Sequence, residues 1–216
     1  KSLPGLGVSV STKFILDEIN VAYGSLSKKA EFITKYCDLK QNSSQAWLNY
    51  EDIERCICEP LRFEDFRRCY CVGGIDLSMT TDLTSACIVI ERDGICYVFS
   101  KFWLPSEKLN EAKARDGLPY DIYVKRGLLE LSEGNVVDYR QVYEWFRMII
   151  EQYQIYPLWI GYDRYSANYL VQDLEQYGFH MDSVYQGTNL TGIINDTEGK
   201  LKNGEVRIGD NDLLKV

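Results

Sequence analysis

The sequence predicts an α/β domain: a mixed β-sheet flanked by helices, with a helical appendage at its N-terminal side. Three observations predict it. Apolar runs at 69–76, about 84–91 and about 95–103 follow one another with only turns between them, as consecutive strands do. Residues 139–153 then carry apolar side chains at helical spacing. After that helix come a strand at 157–163, a helix at 166–177 and a strand at 181–186. Consecutive strands followed by helix–strand alternation fit a mixed sheet better than an all-β or all-α domain.

Taken in order, residues 1–13 are punctuated by Gly, Ser and Pro and read as a linker. Thr12 to Phe32 is helical in pattern, with Thr12 as a cap and Ile15, Ile19, Ala22 and Tyr23 on one stripe. A Ser-rich break leads to a short helix around Tyr50 to Cys58, stopped at Pro60, and 61–69 reads as a charged connector. The expected division is therefore an appendage at 1–68 and a main domain at 69–216. Arg92-Asp93-Gly94 is a hairpin signal between the second and third strands. Residues 104–138 form a long mixed insertion, and the nearby Trp103, Tyr120 and Tyr123 suit an interface or a core equally well. In the helix at 139–153, Val142, Trp145, Phe146, Ile149 and Ile150 share one side, and Gly178 stands where a glycine would end the next helix.

Composition narrows the chemistry. At 216 residues, 45% hydrophobic and 26% charged, the chain can bury a sizeable core. No apolar run approaches the length of a membrane span, and the N-terminus has no apolar stretch like that of a signal peptide. Seven cysteines without a secretion signal point to a reducing compartment and free thiols. Cys56, Cys58, Cys69 and Cys71 form two C-x-C pairs, tighter than the usual zinc-knuckle spacing, and read as core thiols. The single histidine, His180, excludes chemistry that needs several; it reads as a surface or strand-edge residue. Neither the phosphate-loop nor the dinucleotide glycine signature occurs. Carboxylates are left to carry the chemistry.

Two carboxylates stand out. In YCVGGIDLSMTTDLTSACIVI (70–90) an apolar strand ends on Asp76, and the polar turn after it holds Asp82. In PLWIGYDRYSA a second apolar run ends on Asp163. An acid at the end of a buried strand is costly without a partner. Alone, either Asp reads as a cap for the helix or turn after it; together, on two similar strands, they can share a divalent cation. The net charge of −8 implies weak affinity for nucleic acid unless cations neutralise the site. Short basic clusters (Arg67-Arg68, Lys113 with Arg115, Lys125-Arg126, Lys200 with Lys202) could steer a strand, although solvated surface explains each one singly.

The element order matches the ribonuclease H-like architecture, in which the first and fourth strands are neighbours and each supplies a metal-binding acid. GGIDLSMTTDLTSACIVI (73–90), KFWLP (101–105), GNVVDY (134–139), IGYDRYSA (160–167) and QG (186–187) together resemble the nuclease domain of the phage terminase large subunit. The resemblance runs over roughly 70–216. It implies an endonuclease that cuts concatemeric double-stranded DNA with two cations, Mg2+ or Mn2+. Asp76 and Asp163 match the family's ligands, and Asp82 matches a further acid acting through water. The resemblance also implies a full-length protein with an ATPase domain, for which 1–68 would be the junction. Portal and small terminase subunits are the implied partners, and the cytoplasm of a phage-infected or prophage-carrying bacterium is the implied setting. The family's further acid is expected beyond Val216, so the chain as given is expected to cut poorly and to leave Leu213-Leu214 without its packing. Asp210 and Asp212 read as turn residues.

In the expected mechanism Asp76 bridges the two ions, while Arg164 and Lys101 contact phosphate oxygens or form surface ion pairs. Two alternatives remain open. One is another ribonuclease H-like nuclease, of the resolvase or integrase type. The other is a non-catalytic docking module of the packaging machine, using the 104–138 insertion.

Overall fold

The structure, a computed structural model, describes residues 11, 13, 15, 16, 48–78, 82–163, 168–185 and 187–215. The chain divides into two compact units, 1–55 and 56–216. Helix α1 (Tyr50–Cys56) runs up to that division and opens on a reciprocal cap. The Asp52 backbone N–H donates to the Asn49 side chain at 2.9 Å, and the Asn49 N–H donates to the Asp52 carboxylate at 3.3 Å. Most of the helix expected at 12–32 lies outside the described residues.

The second unit is built on one seven-stranded mixed sheet: β1 (Tyr70–Asp76), β2 (Thr84–Arg92), β3 (Ile95–Pro105), β4 (Leu129–Ser132), β5 (Tyr156–Asp163), β6 (Met181–Val184) and β7 (Val206–Arg207). The spatial order is β4-β3-β2-β1-β5-β6, with β7 also beside β3. β1–β2 and β2–β3 pair antiparallel; β1–β5, β5–β6, β3–β4 and β3–β7 pair parallel. At the hairpin between β2 and β3, Asp93 and Gly94 have φ of 54° and 76°. Two successive positive φ values match the right-handed twist of the flanking strands, and glycine reaches them without a Cβ clash.

Helices connect the remaining strands: α2 (Leu109–Asp116), α3 (Tyr120–Lys125), α4 (Tyr139–Tyr153), α5 (Asn168–Tyr177) and α6 (Thr191–Lys202). Alternation along β3 divides the core in two. Phe99 and Trp103 join Ile75, Ala86 and Ile88 on one face, under Val142, Trp145, Phe146 and Ile149 of α4. Phe102 and Leu104 join Leu129 on the other, under Ala112, Tyr120, Tyr123 and Leu213. Among the described residues the second cluster covers only the β3–β4 end of its face. Asp138 starts α4 by accepting from the Arg140 N–H at 2.9 Å. At Gly73 a Cβ would lie 3.0 Å from Ile160 and 3.1 Å from Phe146, so the missing side chain lets α4 approach the sheet closely.

Two expectations change, on 61–69 and Leu213, and the open reading of the insertion resolves to core. Residues 61–69 belong to the core of the second unit and do not form a free connector: Phe66 is buried, and Phe63 stacks on Phe99 at 4.5 Å. The insertion at 104–138 contains α2, α3 and β4, and Trp103, Tyr120 and Tyr123 are all buried. Leu213 is packed against Phe102 and Leu129 and is not left bare. Asn211 caps its turn, accepting from the Leu213 N–H at 3.1 Å.

Candidate active site

Asp76 and Asp163 meet through the register of two central strands. Ile75 is the partner of Tyr162, and both strands run one residue further, to Asp76 and Asp163. Across the sheet Asp76 is opposite Ser85, and Asp163 is opposite Val184. Ile75 and Tyr162 turn toward α4, so the next residues turn to the other face. The two acids therefore stand side by side on the face that α2 and α3 cover only at its β3–β4 end. Asp76 is exposed and Asp163 half-buried. Both are reachable from solvent at the carboxyl ends of parallel strands, where ligand sites in α/β sheets commonly lie.

The turn leaving Asp76 is pinned by groups the sequence reading did not single out. The Ser78 N–H donates to the buried Thr84 hydroxyl at 3.2 Å, and the Tyr139 hydroxyl donates to the Ser78 carbonyl at 3.1 Å. The Ser78 hydroxyl accepts from the Asp82 N–H at 3.0 Å. Tyr139 heads α4, so the helix under the sheet also fixes the loop beside the acids. Burial pushes its phenol above the ordinary value, keeping it a neutral donor. The signal available in sequence was Ser78 and Thr84 framing a polar turn between two strands.

Asp82 is drawn elsewhere. Its side chain is largely exposed and lies 3.5 Å from the Arg115 guanidinium. Arg115 is shared with Asp116, 2.6 Å away, which raises its pKa further. Asp116 is in turn held below the usual carboxylate range, first by Arg115 and then by the Tyr120 hydroxyl at 2.8 Å.

Lys101 is not brought to the acids. It pairs with Ala86, in the row of Ile75, and so faces the opposite side of the sheet. There its ammonium lies 3.0 Å from Glu130. Of the two expected roles this is the ion pair and not the phosphate contact: side-chain alternation along β3 turns Lys101 away from the acids. Arg164 lies outside the described residues. Asp210 and Asp212 both bind Arg126 and Lys215, which ties the last turn to α3. Cys71 is buried in the core, and burial pushes its thiol up to about 12. No three His, Cys, Asp or Glu side chains gather as a metal cluster among the described residues.

A family model described as "Terminase large subunit, endonuclease domain" matches residues 1–216. The chain belongs to the terminase large subunit endonuclease-domain family. It is 33% identical over 164 residues to the large terminase subunit of Enterobacteria phage HK97, covering 74% of this chain and 32% of that protein. It is 25% identical over 227 aligned residues to the protein YmfN of Escherichia coli K12, covering 99% of this chain and 49% of that protein. The crystal structure of the HK97 bacteriophage large terminase superposes with a TM-score of 0.68 at 27% identity, over 98% of this chain and 44% of that one. The chain thus spans less than half of each of these relatives. As a terminase nuclease domain it has the ribonuclease H-like fold expected from its element order. The aromatics Trp103, Tyr120 and Tyr123 are spent on its core, so they offer no docking surface. No helix among the described residues is long and apolar enough to cross a membrane.

Proposed function

We propose that this terminase nuclease domain is a divalent-metal-dependent endodeoxyribonuclease that cuts concatemeric viral double-stranded DNA, with Asp76 and Asp163 holding Mg2+ or Mn2+. The observation that carries the proposal is the pair itself: two carboxylates at neighbouring strand ends, on one accessible face of the sheet. The donors suit the ion, because magnesium and manganese prefer carboxylate and water oxygens and keep several waters of their own. A bound cation would acidify water and stabilise charge on the phosphate oxygens.

The protein's part is to present the ligands. Asp76 lies mid-sheet with Ser85 and Asp163 on either side, which suits a carboxylate shared between two ions. Asp163 would hold such an ion together with Asp76, and phosphate oxygens of the substrate would supply further ligands. Asp82, held near Arg115, would reach a bound ion only through water. The turn anchored by Ser78, Thr84 and Tyr139 keeps Asp76 in place. In the longer protein we assign the first compact unit, residues 1–55, to the junction with an ATPase domain, and portal and small terminase subunits to its partners, acting in the host cytoplasm.

The test is nicking of supercoiled plasmid by the chain with Mg2+ or Mn2+, compared with Asp76→Asn and Asp163→Asn. Both variants should lose cleavage while keeping their circular dichroism. Undiminished metal-dependent cleavage by either variant would show that its carboxylate is not a ligand.

A further inference from the structure

The face that carries the two acids also carries a row of exposed aromatic side chains on the same two strands. Tyr70 and Tyr156 are register partners with rings 6.1 Å apart. Two residues further along β1 is Val72, paired with Trp159, whose ring lies 5.3 Å from that of His180. Trp159 is 56% exposed and Tyr70 66%. A bulge in β5 makes this arrangement: the register shifts between Cys71 and Val72, so Leu158 and Trp159 are both exposed in succession. Next along the same face come Gly74 and Gly161, register partners without side chains, and then Asp76 and Asp163. From Val72 to Asp76 is four strand residues, roughly 13 Å.

We propose that this strip is a stacking platform for unpaired DNA bases beside the cleavage centre. The proposal rests on the reading of the domain as a DNA nuclease and adds the form of DNA it grips. Two features favour bases over a protein surface as occupant. The strip is continuous with the acid pair, with only a glycine row between, so a strand lying on it leads into the site. The exposed groups are also mostly aromatic rings, which present π faces to any base. Neither β1 nor β5 contains a Lys or Arg. A duplex held by its phosphates finds little there, whereas stacking needs no basic residue. A grip of this kind selects DNA whose strands have been separated, such as a frayed or opened stretch next to the cut.

The test uses the chain with Ca2+ in place of Mg2+ and an end-labelled oligodeoxythymidylate, with binding read by anisotropy. A duplex of equal length is the control. Single strands should bind tighter than duplex, with a shallow salt dependence because few phosphates are neutralised. Trp159→Ala and Tyr70→Ala should each weaken single-strand binding roughly fivefold or more, and Trp159→Phe should retain most of it. Both side chains are more than half exposed, so the variants should fold, which circular dichroism checks. Plasmid nicking is measured in parallel: its loss in Asp76→Asn tests the nuclease reading separately. Equal affinity of Trp159→Ala and wild type for single strands would overturn the platform. So would self-association of the wild type, seen by sedimentation and lost in Trp159→Ala with DNA binding unchanged; that would mark the strip as a protein interface.

Discussion

Replacing Asp76 by Asn removes one of two negative charges at neighbouring strand ends while keeping the shape of the side chain. Adjacent strands are about 4.8 Å apart. Two unit charges at roughly 5 Å repel by about 0.8 kcal/mol in a water-like dielectric, and less in physiological salt. That regime applies because Asp76 is exposed and Asp163 only half-buried. In chelator, Asp76→Asn should therefore match wild type or exceed it by at most about 1 kcal/mol, equivalent to a Tm rise of about 2–4 °C for a unit of this size. With a cation at ten times its Kd, wild type gains about 1.4 kcal/mol by mass action, and the variant should lose most of that gain. The order of stability should then invert: the variant melts at or above wild type in EDTA and below it in saturating Mn2+. Scanning calorimetry in both conditions reads this directly. An equal manganese-induced rise in both proteins would refute Asp76 as a ligand. A variant several degrees less stable in EDTA would show that Asp76 is structural.

Gly161 is tightly opposed: a Cβ there would lie 3.0 Å from a Val184 methyl. Gly161→Val should cost about 1–3 kcal/mol in urea unfolding, and Val184→Ala in the same chain should recover part of it; additive losses would count against direct contact. Phe146 is fully buried between Trp145 and Phe179, with ring centroids 4.9 and 5.9 Å away. Phe146→Ala should cost about 3–5 kcal/mol, and a loss below about 1 kcal/mol would mean that α4 is not packed as described. Asp212 is held below the usual carboxylate range, first by Lys215 and then by Arg126. Its contribution is present above the ordinary carboxylate pKa and fades as pH falls through the lowered value, from about pH 4 downward. Hydrogen-exchange protection at Leu213 and Leu214 should hold from pH 6 to about pH 4 and fall below that before the sheet is affected, and a loss already complete above pH 4 would assign it to other groups.

The central strands and α4 were legible because each carries a clean period. TSACIVIER alternates burial residue by residue along β2, and YRQVYEWFRMIIEQY keeps one apolar stripe over four turns. The insertion was not legible. LNEAKARD and YDIYVK are short and mostly polar, and β4 has only four residues, too few for a period to declare itself. Phe63 and Phe66 were hidden by the charges around them in RFEDFRR, although their rings face the core while those charges face water. At the candidate site the two acids could be found because each ends an apolar run. The face on which Lys101 lies could not, since it depends on the pairing of β2 with β3. Paired glycines announce a close approach without saying which side of the sheet is approached.

That ambiguity is resolved by the fold, and the resolution reaches the site. In VGGID the two glycines have opposite duties because they point to opposite faces. Gly73 lets Phe146 and Ile160 close up beneath the sheet, drawing α4 in until Tyr139 reaches the Ser78 carbonyl in the turn after Asp76. Gly74 leaves the other face low between the aromatic strip and the acid pair, and there a Cβ would meet only the Cys87 sulfur, at 3.3 Å. A side chain at 73 would push on the helix and, through it, on the turn that positions Asp76. A side chain at 74 would stand in the path between Trp159 and the carboxylates while leaving the helix untouched. The two substitutions should therefore separate: at 73 stability and cleavage fall together, and at 74 access to the acids falls while the fold holds.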